Sequence, residues 1–372
     1  MTLDADFLLS GPRGRGVLLH LLDDGDVRGL LNRADSSASP GTHRLKMAYS
    51  APSPRGPRGW VDRARLKREF AAHQREARRP VAPAELAAAI AKAPFPIVTD
   101  AAIAEALSRS VDDAKPYQPA DHSETVAADE RVIEALRRLA QAVAESTFAA
   151  AWGVAAAAQW AVVKAGREVA PEDVAEPAAV LDAWHAAMVE AEREAREVSR
   201  GTSRWWSRPP HGLPTATAAW KGFGPAALYL EEDSFGSREA TATPVSAPPE
   251  RTFEVTGAEA WAQLCREYPL DVTYSQRDIW RVAIGFDGGW IVPDWRAMAA
   301  DWDAVHLTVS GYLEAATRPI VIADGQASAI AGWNADETVW LTARPSEMGP
   351  AVAWKHRDQF GWRSDSLDEE TR

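Results

Sequence analysis

The nine residues from Arg204 to Gly212, RWWSRPPHG, mark the point at which this sequence changes texture. Upstream, Ala-rich amphipathic segments read as helices. Downstream, short apolar runs bounded by turn residues read as strands. Pro209 and Pro210 hold the stretch extended, and the adjacent Trp205 and Trp206 make it either an aromatic corner or the mouth of a site. The residues alone leave both readings open.

Working back from that point, the sequence predicts helix after helix. VSRG closes a charged amphipathic segment that begins at Ala170. Before it, ADERVIEALRRLAQAVAESTFAAAWGVAAAAQWAVVKAG places Val132, Leu136, Leu139 and Val143 at helical spacing, with Gly166 as its end. TDAAIAEALSRS starts with Thr99 or Asp100 as N-cap, and APAELAAAIAKA carries a proline at an early helical position. Residues 80–200 are therefore expected to be all-α. Residues from about 34 to 80 form an insert rich in Ser, Pro and Gly. Between Arg55 and Arg79 it holds nine Lys/Arg, with Trp60 and Phe70 among them. That segment reads as a solvated basic helix face or, alternatively, as a patch for an anionic surface or nucleic acid. At the start of the chain, GPRGRG reads as a turn, since its spacing does not suit a dinucleotide loop.

Beyond Gly212 the predicted strands are AALYLEE, RTFEV, WRVAI, GWIVP, AVHLTV, PIVIAD and ETVWLTA, with helices at GAEAWAQLCREY and DWRAMAADW. The expected fold class is α+β: a helical N-terminal region over residues 1–201, then a mainly antiparallel, Trp-rich α+β domain over 202–363, then an acidic tail over 364–372. Twelve of the 16 tryptophans lie in residues 202–372.

Composition narrows the function classes. With 372 residues the length favours two domains, and 46% apolar against 25% charged residues matches globular usage. The net charge is −12, of which residues 201–372 carry −9. The second half is thus a poor platform for nucleic acid, whose affinity comes largely from cations on phosphate. A single cysteine excludes an intrachain disulfide and a cysteine metal cluster. No histidines pair at ligand spacing, so no metal is expected. No apolar run is long enough for a membrane span, and the start has no signal-peptide pattern; a cytoplasmic protein is the expectation.

Candidate chemistry lies at the ends of the downstream runs. In DWDAVHLTVSGYL, period-two alternation would put His306, Thr308 and Ser310 on one strand face. In GWNADETVWL, Asp336 and Glu337 precede a strand. Arg204, Trp205, Trp206 and Ser207 belong to the opening stretch. Ordinary packing explains each of these taken singly. Their conjunction in one Trp-rich domain suits a pocket for a flat, nucleotide-like ligand.

Two resemblances add to this. The opening LLSGPRGRG is similar to the start of proteins from high-GC actinobacteria, which implies no activity. The order of RWWS, LYLEEDSFGSREA, RTFEV, WDAVHLTV and ADETVWL resembles ADP-ribosyltransferase-like and RES-type NAD-cleaving domains. The chain lacks their Ser-Thr-Ser strand and Gln/Glu-x-Glu element. The resemblance implies NAD as substrate, with Arg204 on the pyrophosphate and Ser207 and Thr308 beside the ligand. Trp205 or Trp206 would stack the nicotinamide. Glu337 or Asp336, with His306, would act at the reacting centre. The rival readings are a non-catalytic protein-interaction or regulatory protein with a Trp-rich surface, and nucleic-acid association through Arg55–Arg79.

Overall fold

The computed structural model describes residues 4–38, 80–165, 175–198, 201, 204–234, 236–357 and 361–364. The Arg55–Arg79 segment, Gly166 and residues 365–372 lie outside the described residues.

The chain begins with helices α1 (Ala5–Ser10), α2 (Pro12–Leu22), α3 (Gly25–Ala38), α4 (Pro83–Lys92), α5 (Asp100–Asp112), α6 (His122–Ala127) and α7 (Glu130–Ala144). Their limits follow local chemistry. The Thr99 hydroxyl accepts a hydrogen bond from the Ala102 amide at 3.2 Å and caps α5. Pro83 opens α4 without losing a bond. Val132, Leu136, Leu139 and Val143 form the buried stripe of α7. The expected turn at GPRGRG is instead the junction of α1 and α2, with Pro12 at the first helical position. Its glycines serve close approach. A Cβ on Gly11 would collide with the Leu313 carbonyl, and one on Gly14 with that of Leu8.

Residues 80–200 are not all helical. After α7 the chain runs through Trp152 into strand β1 (Gln159–Lys164), and only then into α8 (Pro177–Val198). Trp160, Val162 and Val163 give QWAVVK its β preference, but the alanines before it hide the change of period. β1 lies inside a nine-stranded sheet with β2 (Thr215–Trp220), β3 (Gly224–Pro225), β4 (Glu239–Val245), β5 (Thr252–Val255), β8 (Ala304–Leu307), β11 (Glu337–Trp340), β12 (Val352–Arg357) and β13 (Gly361–Ser364). The order is β13-β12-β4-β1-β2-β11-β8-β5, with β3 attached to β2. Only β5 and β8 run parallel in it.

A second sheet, ordered β6-β7-β10-β9, consists of β6 (Pro269–Asp271), β7 (Gly289–Pro293), β10 (Gln326–Ser328) and β9 (Ile320–Ala323). α9 (Ala258–Glu267) leads into this sheet, and α10 (Thr273–Ala283), α11 (Trp295–Met298) and α12 (Val309–Ala315) lie between its strands in the chain. The fold is α+β with mainly antiparallel sheets. Two predicted strands are helical: AALYLEE holds a 3-10 turn at Ala226–Leu228, and WRVAI falls at the end of α10. Two strands that apolar runs did not signal, β2 and β4, are written in Ala and Thr.

One hydrophobic cluster runs from Leu8 of α1 through Leu136 of α7, Trp261 of α9 and Val305 of β8 to Leu341. Elements on both sides of residue 202 therefore share a core. None of the twelve tryptophans after residue 202 is exposed, and Trp261, Trp280, Trp290, Trp295 and Trp333 are completely buried. Where an indole N–H meets a partner it locks two segments, as with Trp280 Nε1 donating to the Trp205 carbonyl at 2.7 Å. Nine of the twelve rings are buried, and Trp205, Trp206 and Trp302 are half-buried.

Candidate functional site

β8 and β11 pair antiparallel with His306 opposite Thr338 and Glu337 opposite Leu307. On the parallel side, His306 is level with Glu254 of β5. Side chains alternate between sheet faces, so His306, Glu254 and Thr338 share one face while Glu337 points to the other. The expected convergence of His306 with Glu337 does not occur, for this geometric reason.

On the first face, His306 is buried and its Nδ1 lies 2.5 Å from Glu254 Oε2. Its Nε2 lies 3.4 Å from Asp336 Oδ1, an ionic contact without a hydrogen bond. Asp336 sits at φ 60°, a left-handed position that Asp tolerates better than most residues. Its other carboxylate oxygen accepts from the Thr217 hydroxyl and the Ala218 amide, each at 2.8 Å. Burial opposes charge on His306, but the Asp336 and Glu254 carboxylates outweigh it and raise the imidazole to about 9. His306 and Asp336 are thus a charged clasp joining β2, β5, β8 and β11.

Thr308 and Ser310 do not share a strand face with His306, since the strand ends at Leu307. Thr308 is the N-cap of α12: its hydroxyl accepts from the Gly311 amide at 2.9 Å and donates to the Val255 carbonyl at 3.1 Å. The helix begins there because the hydroxyl satisfies an amide that the strand pattern would leave bare.

RWWSRPPHG runs as an extended strap along residues 331–337. The Ser207 amide donates to the Ala331 carbonyl and the Ala331 amide to the Ser207 hydroxyl, both at 3.0 Å. Ser207 is buried in this exchange. Trp205 and Trp206 meet edge to face with centroids 5.7 Å apart, and Trp205 also packs on Tyr117. Arg204 Nη1 lies 3.5 Å from Met188 Sδ.

Arg208, a polar residue of the same stretch that was given no role in the ligand site, is the strap residue that reaches the second face. Its guanidinium lies 3.5 Å from Glu337 Oε2, and both side chains are largely buried. That oxygen and Arg208 Nε have no hydrogen-bond partner among the described residues. Burial pushes the Glu337 carboxyl up, with Arg208 pulling the other way. Glu232 joins the same neighbourhood. Its two carboxylate oxygens accept from the Tyr312 hydroxyl and the Gly332 amide, each at 2.9 Å. Burial raises it to about 7, against Tyr312, Arg13, Gly332 and Arg208, which lower it. A perturbed acid beside an ion pair with an unpartnered oxygen makes this face a candidate site; Arg208 Nη1 also meets His211 Nδ1 at 3.0 Å. A signal was present in the sequence: Arg208 lies two residues beyond the tryptophan pair, and Glu232 lies in the acidic run EED.

Other candidates fall away. Burial pushes the Cys265 thiol to about 12, far from a thiolate nucleophile. Among the described residues no group of three His, Cys, Asp or Glu side chains could hold a metal, and no helix is long and apolar enough to cross a membrane. Comparison of the chain with known protein families, characterised proteins and solved structures finds no match.

Proposed function

We propose that the chain cleaves NAD or a closely similar nucleotide, releasing nicotinamide and passing the ADP-ribosyl group to water or another acceptor, at the Arg208–Glu337 pair. The reading rests on one observation: the enclosed Glu337 carboxyl keeps an oxygen without a hydrogen-bond partner 3.5 Å from a guanidinium. Such a pair suits a ligand that carries both signs of charge. The forked guanidinium complements a pyrophosphate, and the carboxylate complements a cationic nicotinamide ring.

The chemistry follows from the same placement. As the bond between ribose C1′ and the nicotinamide nitrogen breaks, its electron pair leaves with nicotinamide and neutralises the ring. Positive charge passes to the ribose as an oxocarbenium ion, which the Glu337 carboxylate stabilises. Water or an acceptor then forms the new bond to C1′ and loses its proton to solvent. Arg208 takes the role that residue order alone gave to Arg204. Trp205 and Trp206 on the same strap offer the ring a surface, while His306, Asp336, Ser207 and Thr308 hold the scaffold.

Nicotinamide release from NAD by the purified chain, followed chromatographically with and without candidate acceptors, tests this. Turnover is expected in the native chain, and Glu337→Gln is expected to lose about 10²–10³-fold. A native chain that leaves NAD intact under all these conditions overturns the reading.

A further inference from the structure

Three neighbouring strands carry another set of polar groups to one face of the large sheet. Lys164 of β1 and Trp354 of β12 both lie level with Ala240 of β4, and His356 lies level with Trp362 of β13. Alternation along each strand puts Lys164, Trp354 and His356 on the same face. Between that face and the end of α5 is a cavity of about 270 Å³, bordered by Lys164, His356, Tyr229, Ser234, Ser237 and Arg238. Asp112 of α5 fixes the loop that closes it, its carboxylate accepting from the Ser234 amide at 2.8 Å and its carbonyl from the Asp233 amide at 3.2 Å. Lys164 Nζ donates to Glu231 Oε2 at 2.5 Å and keeps two further N–H donors, on a side chain that is 11% exposed. The hydroxyls of Ser234 and Ser237 and the ring nitrogens of His356 have no hydrogen-bond partner among the described residues. None of these atoms is enclosed.

We infer that this cavity binds a small phosphate monoester, with its phosphate held by Lys164, Ser234, Ser237 and His356 and its organic part against Tyr229. Each carboxylate of the cavity already accepts a hydrogen bond, Glu231 from Lys164 and Asp112 from the Ser234 amide. The groups still open are donors, and they call for an acceptor. A phosphate group presents three oxygens to donors approaching from different elements, as these do from β1, β12 and the loop before β4. The exposed Arg238 adds positive charge at the rim. A volume below about 300 Å³ suits a small ligand rather than a dinucleotide. The inference does not rest on the NAD reading, because Glu231 turns to Lys164 while Glu232, one residue on, turns to Tyr312 and Gly332.

Calorimetric titration of the full chain with glycerol 3-phosphate, inorganic phosphate and glycerol tests the inference. Glycerol 3-phosphate is expected to bind more tightly than phosphate, and glycerol not to bind. Lys164→Gln is expected to weaken glycerol 3-phosphate about tenfold or more, and Ser234→Ala combined with Ser237→Ala about tenfold, since each removes charge-assisted hydrogen bonds. Should Lys164→Gln fail to fold because Glu231 loses its cation, the serine pair carries the test, as its hydroxyls hold nothing in the free chain. Absence of glycerol 3-phosphate binding overturns the site, as does binding that the folded variants leave unchanged. Inorganic phosphate binding as tightly as the ester overturns the ester class. Glycerol binding as tightly as its phosphate overturns the role given to the donors.

Discussion

The two faces of the β8–β11 pair give buried charge different numbers of partners, although each leaves one polar atom without a hydrogen bond, His306 Nε2 on one and Glu337 Oε2 on the other. On one, His306 lies between Glu254 and Asp336, and Asp336 is held in turn by Thr217 and Ala218. On the other, Glu337 meets a single guanidinium at 3.5 Å and keeps an oxygen unsatisfied. Both lie within two residues of each other across one ladder. A buried charge surrounded by partners is architecture, because removing any member strands the rest. A buried charge short of partners is stabilised further only by something that arrives. The contrast sorts the polar residues here more surely than their identity does.

The harshest way to break this comparison is to remove the centre of the clasp. His306→Ala leaves Glu254 and Asp336 without their cation and is expected to cost about 3–5 kcal/mol in denaturant unfolding. A loss below about 1 kcal/mol would show that the clasp is not structural. A pH series sharpens it next. His306 is raised in the folded chain from 6.5 to about 9, so the stability it contributes is complete below about pH 6.5 and is lost as pH rises through about 9. Glu232 is raised from 4.5 to about 7, so the folded chain holds its proton more tightly and stability also falls as pH rises between those values. Thermal midpoints from pH 4.5 to 9 should therefore decline through this pair, and a pH-independent midpoint would contradict both environments.

Glu337→Gln gives the reverse of the His306 result. Its effect on stability is expected to stay within about 1 kcal/mol, since a neutral amide is easier to bury than a carboxylate, while nicotinamide release collapses. A loss of stability on the scale of His306→Ala would move Glu337 into the architecture. The smallest expected change is Thr308→Ala. It removes the α12 cap and should cost about 1 kcal/mol, with no effect on NAD turnover beyond that of the lowered stability; a selective loss of turnover would return Thr308 to the ligand site.

Much of the helical half was legible, because apolar stripes such as Val132–Leu136–Leu139–Val143 and caps such as Thr99 act within a few residues. Strands RTFEV and GWIVP were legible for the same reason, being short apolar runs bounded by turns. β1 was not, because the alanines before it hide the change of period, and β2 and β4 were not, since Ala and Thr supply no strong period and their strand character comes from neighbours in the sheet. The site residues were half visible. Glu337 stood out before a strand, but Arg208 and Glu232 come from a Pro-rich strap and an acidic turn, and they gain meaning only where those segments meet.

By itself the sequence determined the α+β class, the concentration of tryptophans after residue 202 and the positions of many of the amphipathic helices, because these depend on composition and on spacing within one segment. The tertiary structure alone decided that a strand from the helical half enters the large sheet, that one core spans residue 202, and that His306 and Glu337 face apart. Those outcomes depend on strand register and on contacts between residues more than a hundred positions apart, as in Ser207 with Ala331. No local pattern encodes such a distance, so only the assembled packing could select them.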